Sequence, residues 1–144
     1  MLIGEYTHTL DDKKRVSLPS KFRKELGKQI VITPGLDNCL FIFTMSSWKE
    51  ISNKLSSLSF LQSDNRGFNR FLFGQAGVVD IDASGRVLIP DTLREKAGIS
   101  AKAVFVGVQD RVEIWDESAW LSYKQNIEKE ADTLAEKLGA VGAL

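Results

Sequence analysis

Two pairs of oppositely charged residues share one spacing in this chain. Asp11 lies four residues before Arg15, and Asp82 lies four residues before Arg86. An arginine guanidinium carries five donors in a fixed fork and can make two parallel hydrogen bonds to guanine O6 and N7 or to a phosphate. The aspartates are expected to hold a tight turn and orient the arginines. The two arginines are therefore candidates for contact with DNA.

Both pairs belong to an internal repeat with a constant spacing of 71 residues, seen in residues 10–27 and 81–98. Six positions are identical between the copies: Asp11/Asp82, Arg15/Arg86, Val16/Val87, Pro19/Pro90, Arg23/Arg94 and Gly27/Gly98. With a register slip of one or two residues the similarity continues to the end of each half. A repeat of this extent indicates a fold built from two similar units.

Each copy predicts a strand, a tight turn, a second strand and a short helix. In the second copy, apolar residues alternate with polar ones before Ser84-Gly85, and Val87 and Ile89 resume the two-residue spacing after it, which is the pattern of half-buried strands. Pro90 suits the first position of a helix, because its missing N–H would be unpaired there. Since alternate residues of a strand face opposite sides, Arg15 and Arg86 are expected on the outside.

Further strands and a closing helix complete each half. A single half would expose a sheet edge and an apolar face, whereas two interleaved halves can bury both. We therefore predict an α+β fold with a mainly β core and peripheral helices, in which two pseudo-symmetric halves close one β-barrel. The predicted units are a first repeat with its closing helix (1–58), an aromatic-rich helical connector (59–76) and a second repeat with the C-terminal helix (77–144).

The doubled motif, Asp-x-x-x-Arg followed by Val-x-(Leu/Ile)-Pro-x-x-(Phe/Leu)-Arg, resembles the MraZ family. Halves of that family are similar to the DNA-binding half of AbrB-type transition regulators and MazE-type antitoxins. The resemblance runs from Met1 to about Leu138 and implies a swapped-hairpin barrel, a ring-shaped oligomer and binding to direct repeats in the promoter of the cell-division and cell-wall gene cluster. One departure is Lys14, where family members commonly have glycine, and this lysine adds a cation beside Arg15.

The charge distribution favours DNA contact by the first half. The net charge is zero, but residues 1–70 hold eleven Lys/Arg against seven Asp/Glu, and residues 71–144 hold eight against twelve. Because salt screens exposed charges beyond about 10 Å, a local basic patch can still attract phosphate. The predicted DNA-binding residues are Arg15 and Arg86 for bases or groove, and Lys13, Lys14, Lys21 and Arg23 for phosphates. The predicted turn-structuring residues are Asp11, Asp82 and Gly85.

Three helices outside the repeat core motifs are predicted from apolar spacing. Ser46 or Ser47 is expected to cap the first, whose apolar residues are Trp48, Ile51, Leu55 and Leu58. The connector helix carries several phenylalanines. The C-terminal helix has a stripe close to a heptad seam, and its acidic other faces would be repelled by DNA. This helix supports an alternative function, an antitoxin-like or scaffolding module that binds a partner protein.

An enzyme is the weakest hypothesis. His8 is the only histidine and falls in a strand of the repeat, while Cys39 is the only cysteine and precedes an apolar strand, so both are interpreted as packing residues. Neither a phosphate-binding glycine loop nor a metal-ligand cluster is visible, and we expect no metal and no cofactor. No secretory signal or membrane-length apolar run is seen, which favours a cytoplasmic, nucleoid-associated protein without a membrane partner.

Overall fold

A computed structural model describes all 144 residues. The elements in chain order are β1 (Leu2–Thr9), β2 (Arg15–Ser17), α1 (Ser20–Leu26), β3 (Gln29–Pro34), β4 (Leu40–Thr44), α2 (Met45–Ser56), α3 (Ser63–Phe73), β5 (Gly77–Asp80), β6 (Arg86–Leu88), α4 (Asp91–Lys96), β7 (Lys102–Gln109), β8 (Val112–Asp116) and α5 (Glu117–Ala140). Each half therefore has two strands, a short helix, two strands and a closing helix, with α3 between the halves.

The two halves exchange strands. Six strands form an antiparallel sheet in the order β1-β7-β8-β4-β3-β5, and β2 pairs with β6 in a separate two-stranded sheet. The first strand of one half thus lies along the other half, with Leu2 opposite Gln109 and Thr9 opposite Lys102. The predicted α+β class is confirmed. The hydrogen-bond ladders form two sheets rather than one continuous barrel, so the expected closure of a barrel is not confirmed.

One hydrophobic core lies between these layers and draws on both halves. Val16 and Val87 face each other across the β2–β6 pair and are almost completely buried. The short helices contribute Phe22 from α1 and Leu93 from α4, which are also buried. Because apolar burial is the main favourable term in folding, the two repeats stabilise each other by sharing this core.

The closing helix of the first half begins earlier than predicted. Thr44, rather than Ser46 or Ser47, is the N-cap of α2, and its hydroxyl oxygen accepts a hydrogen bond from the Ser47 N–H at 3.0 Å. Leu58, predicted on the apolar stripe of this helix, lies beyond the last helical residue and is exposed. In α3 only Leu72 is buried.

The C-terminal helix α5 is twice as long as α2, with 24 residues against 12. It is anchored at its beginning, where the rings of Trp120 and Tyr123 lie 5.3 and 4.9 Å from that of Trp115. Residues 128–144 are all exposed. The helix continues through Ala140. None of the helices has the length and apolar character needed to cross a membrane.

The lone cysteine and histidine occupy packing positions. Cys39 is buried, its S–H donates to the Leu36 carbonyl at 3.1 Å, and burial raises the pKa of the thiol to about 12. His8 lies edge-on to Phe105 with 5.9 Å between ring centroids, and burial lowers the pKa of its imidazole. Phe41 is covered in part by the Arg111 guanidinium, 4.6 Å from its ring centroid.

Candidate nucleic-acid interface

The first turn, residues 11–15, is organised by a single carboxylate. Oδ1 of Asp11 accepts hydrogen bonds from the backbone N–H groups of Lys13 and Arg15, both at 2.9 Å. Oδ2 accepts a hydrogen bond from Nε of Arg15 at 2.8 Å. The backbone N–H of Asp11 donates to the Arg15 carbonyl at 2.8 Å and closes the turn. One side chain therefore fixes both the backbone of the turn and the direction of the arginine.

The second turn, residues 82–86, repeats this arrangement. Oδ1 of Asp82 accepts from the backbone N–H groups of Ser84 at 2.9 Å and Arg86 at 2.8 Å, and Oδ2 accepts from Nε of Arg86 at 2.9 Å. The Asp82 N–H donates to the Arg86 carbonyl at 2.9 Å. Asp82 therefore lies against the backbone of its own turn in the same way as Asp11.

These hydrogen bonds change the acidity of both aspartates. The backbone N–H of Arg15 is the largest cause that lowers the pKa of Asp11, and the backbone N–H of Arg86 does the same for the pKa of Asp82. The guanidinium hydrogen bonds lower both pKa values further. Since only the ionised carboxylate accepts all three bonds, both groups are charged at neutral pH.

Lys14 adopts the conformation that glycine has in the second turn. Its φ is +65°, and that of Gly85 is +80°. The backbone N–H of Lys14 donates to the Asp11 carbonyl at 2.9 Å, and the N–H of Gly85 donates to the Asp82 carbonyl at the same distance. The left-handed region costs a residue with a side chain roughly 1–2 kcal/mol. The first turn therefore has the same backbone conformation as the second, but Lys14 makes it less favourable than glycine would.

The β2–β6 pair places both arginines on one outward face. Arg15 lies opposite Leu88, and Arg86 lies opposite Ser17, while Val16 and Val87 between them point into the core. Each arginine side chain is 33% exposed. Residues on this diagonal of an antiparallel pair are roughly 7–8 Å apart. We call Arg15, Ser17, Arg86 and Leu88 the ribbon face.

The ends of both guanidinium groups are available. In each arginine Nε is bound by the aspartate of its own turn, and neither Nη atom makes a hydrogen bond within the chain. Nη1 of Arg86 lies 3.9 Å from Oδ2 of Asp11, which joins the two turns electrostatically. On the other side, no guanidinium nitrogen of Arg15 lies within 4 Å of a carboxylate oxygen of Asp82. A guanidinium held from the side at Nε can still present both Nη atoms to an acceptor pair.

The other predicted cations occupy different environments. Lys13 and Lys14 are exposed at the tip of the first turn, and Lys21 is exposed on α1. Arg23 is half-buried, and its Nε donates to the Leu18 carbonyl at 3.0 Å. Its guanidinium lies directly against Gly85 of the second turn. The interleaved fold therefore brings a first-half cation to the second turn.

Sequence reasoning missed three residues near the site. Lys28 lines an open cleft of about 360 Å³ together with Arg23 and Asp82, so two first-half cations border a turn that has no lysine of its own. Interleaving of the halves was expected, but the register that brings Lys28 to Ile81 was not visible in the sequence. Ser17 and Leu88 join the ribbon face, and strand alternation alone would have identified them.

Comparison with known proteins identifies the family. A family model described as "MraZ protein, putative antitoxin-like" matches residues 1–71 and 72–139. Proteins named "Transcriptional regulator MraZ" are similar over nearly the whole chain: that of Acetivibrio thermocellus is 46% identical over 99% of both chains, that of Moorella thermoacetica 48% over 96% of both, and that of Syntrophomonas wolfei 44% over 99% of both. With two matched repeats, paired Asp-x-x-x-Arg turns and relatives of equal length, the chain belongs to the MraZ family.

Proposed function

We propose that this protein is a sequence-specific DNA-binding transcriptional regulator of the cell-division and cell-wall gene cluster. It acts as a ring-like homo-oligomer on direct repeats in its own promoter, in the cytoplasm at the nucleoid. The regulator names of its relatives support the general role. The observation that carries the proposal is the position of Arg15 and Arg86 on one outward face, each held at Nε by an aspartate.

A two-stranded ribbon has the width to enter the major groove of B-DNA. Arginine reads guanine there by donating two hydrogen bonds to O6 and N7, which requires a guanidinium with two free donors. Arg15 and Arg86 meet that requirement because none of their Nη atoms makes a hydrogen bond within the chain, although Nη1 of Arg86 is paired electrostatically with Asp11 at 3.9 Å. Their diagonal separation of roughly 7–8 Å corresponds to about two base-pair steps of 3.4 Å, so one ribbon face can contact neighbouring base pairs.

Cations beside the ribbon face supply phosphate contacts in this proposal. Lys13 and Lys14 project from the first tip, and Lys21 extends from α1. Arg23 contributes positive charge beside the second turn, although its Nε is already bound within the chain. Phosphate contacts orient a protein on the duplex without reading its sequence.

A single chain offers few phosphate contacts, and assembly would multiply them. In a homo-oligomer the same ribbon face recurs at fixed intervals, so a second contact on the same DNA becomes intramolecular and overall affinity rises. This gain requires that the DNA carry repeats at a matching spacing. The ring and the direct repeats therefore form one proposal.

Arg15→Ala is the direct test. We expect the variant to lose retardation of a duplex taken from upstream of its own gene, while native mass spectrometry gives the wild-type assembly mass. Lys49→Ala is a suitable control, because it removes one exposed cation from α2, far along the chain from the turns. Retardation of the promoter duplex by Arg15→Ala at wild-type strength would remove Arg15 from its assigned role.

A second function is favoured by the exposed part of α5. Ile127, Ala131, Leu134 and Leu138 follow one stripe of this helix, and Leu134 and Leu138 are exposed by 42% and 46%. Such a stripe suits an antitoxin-like or scaffolding module that binds a partner protein. Salt distinguishes the two functions. DNA affinity falls with a log–log slope of about −0.9 per neutralised phosphate, whereas an apolar protein interface changes little.

A further inference from the structure

Leu88 is unusual on the ribbon face. Its side chain is 52% exposed although it lies on the strand pair that carries both arginines. The repeat counterpart of Leu88 is Ser17, which occupies the equivalent place on β2. Because the pseudo-symmetric position accepts a serine, this point of the fold does not require an apolar residue.

The position of Leu88 relative to Arg15 is defined by the strand register. The two residues are directly opposite each other, so their Cβ atoms are about 4.5–5.5 Å apart. That distance is between one and two base-pair steps of about 3.4 Å. A duplex approached by the Arg15 guanidinium would therefore meet the Leu88 side chain at a neighbouring base pair.

We propose that Leu88 determines sequence specificity by contacting the 5-methyl group of a thymine beside the base pair that Arg15 contacts. This inference rests on the proposed function. In the major groove the thymine methyl is the one apolar feature among donors and acceptors, and apolar side chains recognise it. Ser17, at the matching place beside Arg86, offers a hydroxyl and has no methyl-sized apolar surface. The two ends of the ribbon face therefore read different base pairs.

Replacement of thymine by deoxyuridine tests the contact, because it removes only the methyl group. Fluorescence anisotropy would be measured with the full-length protein on its promoter duplex and on duplexes with single thymine-to-deoxyuridine replacements. We expect one replacement per repeat to weaken wild-type binding about fourfold, the value of one buried methyl. Leu88→Ala should bind the thymine duplex about as weakly as wild type binds that deoxyuridine duplex, and it should not distinguish the two.

Two further variants complete the design. Leu88→Met keeps an apolar side chain of similar length and should retain the preference for thymine. Val78→Ala shortens another exposed apolar residue, 59% exposed on β5 outside the ribbon face, and should behave as wild type. Circular dichroism and native mass confirm folding and assembly of each variant.

The outcomes separate this inference from the proposed function. Loss of DNA binding in Arg15→Ala together with unchanged thymine preference in Leu88→Ala overturns the role of Leu88 alone. A smaller assembly mass in Leu88→Ala, with the thymine preference intact, would assign the leucine to a contact between subunits. That result also overturns its role in thymine recognition. If the wild-type protein retards no promoter duplex, the proposed function itself fails.

Discussion

The two turns have the same hydrogen bonds but different residues at their left-handed position. Lys14 occupies that position in the first turn with φ +65°, and Gly85 occupies it in the second with φ +80°. In both turns one aspartate accepts two backbone N–H groups and the arginine Nε. The turn is therefore specified by the aspartate, whereas the residue before the arginine differs between the two copies.

The surroundings explain why the two turns differ. A Cβ on Gly85 would clash with the Arg23 guanidinium, so a side chain at this position would have to displace that group. Lys14 is exposed and carries a cation at the tip of the first turn. In the first turn, Lys14 has a strained backbone conformation and adds a positive charge. In the second turn, glycine adopts the same conformation without strain, and the nearby positive charge comes from Arg23 of the other half.

The largest expected effect concerns DNA affinity. Arg15→Ala should cost about 3 kcal/mol of DNA-binding free energy and Arg86→Ala about 1 kcal/mol, the two ends of the range for a bidentate guanine contact, because in the proposed complex the lysines of the first turn would hold the duplex close to Arg15. Titration of both variants against the promoter duplex at one salt concentration measures the difference. Equal losses would mean that the two turns contribute equally despite their different charge.

Gly85→Ala should destabilise the protein by about 2–3 kcal/mol, since strain at positive φ adds to disruption of the Arg23 hydrogen bond to Leu18. Urea denaturation measures the free energy of unfolding. Gly98→Ala is a matched control, because Gly98 also has a positive φ, +66°, but no atom lies within 4 Å of the point that its Cβ would occupy. Equal losses in the two variants would contradict a steric role for Arg23.

A smaller effect is expected when the turn aspartates are protonated. Their folded-state pKa values lie below the ordinary 3.8, so the stability they contribute is present above that pH and is lost as pH falls through the folded-state values. The free energy of unfolding should therefore decline below about pH 4. The double variant Asp11→Asn/Asp82→Asn should show a shallower decline in urea titrations across this range. An unchanged pH profile would exclude the two carboxylates as its source.

The smallest effect should come from Lys14→Gly. Relief of strain at φ +65° is offset by the greater freedom of glycine in the unfolded chain, so stability should rise by no more than about 1 kcal/mol. The log–log salt slope of DNA binding should fall by about 0.9 for the lost cation. Lys13→Gly removes the same charge without relieving a positive φ, so it should lower the slope equally and also reduce stability by about 0.5–1 kcal/mol. A large loss of stability in Lys14→Gly would contradict the strain at this position.

Local features were predictable because they depend on neighbours in the chain. The strand-turn-strand-helix order of each repeat follows from alternation and proline, and the aspartate-held turns follow from the four-residue spacing. The predicted N-cap of α2 was wrong, because Thr44, Ser46 and Ser47 are all capable of capping and only the backbone geometry at Thr44 selects one. The assignment of Leu58 to the apolar stripe was also wrong, because periodicity does not show where the helix ends.

The sequence by itself determined the duplication, the two turns and the outward direction of Arg15 and Arg86, since each follows from short-range spacing. Only the tertiary structure decided that Arg15 and Arg86 share one face, that Arg23 and Lys28 lie beside the second turn and that Leu88 stands opposite Arg15. These are contacts between residues about 50 to 75 positions apart in the chain. Their partners are chosen by strand register, and register is selected by burial of a common core that neither half possesses alone.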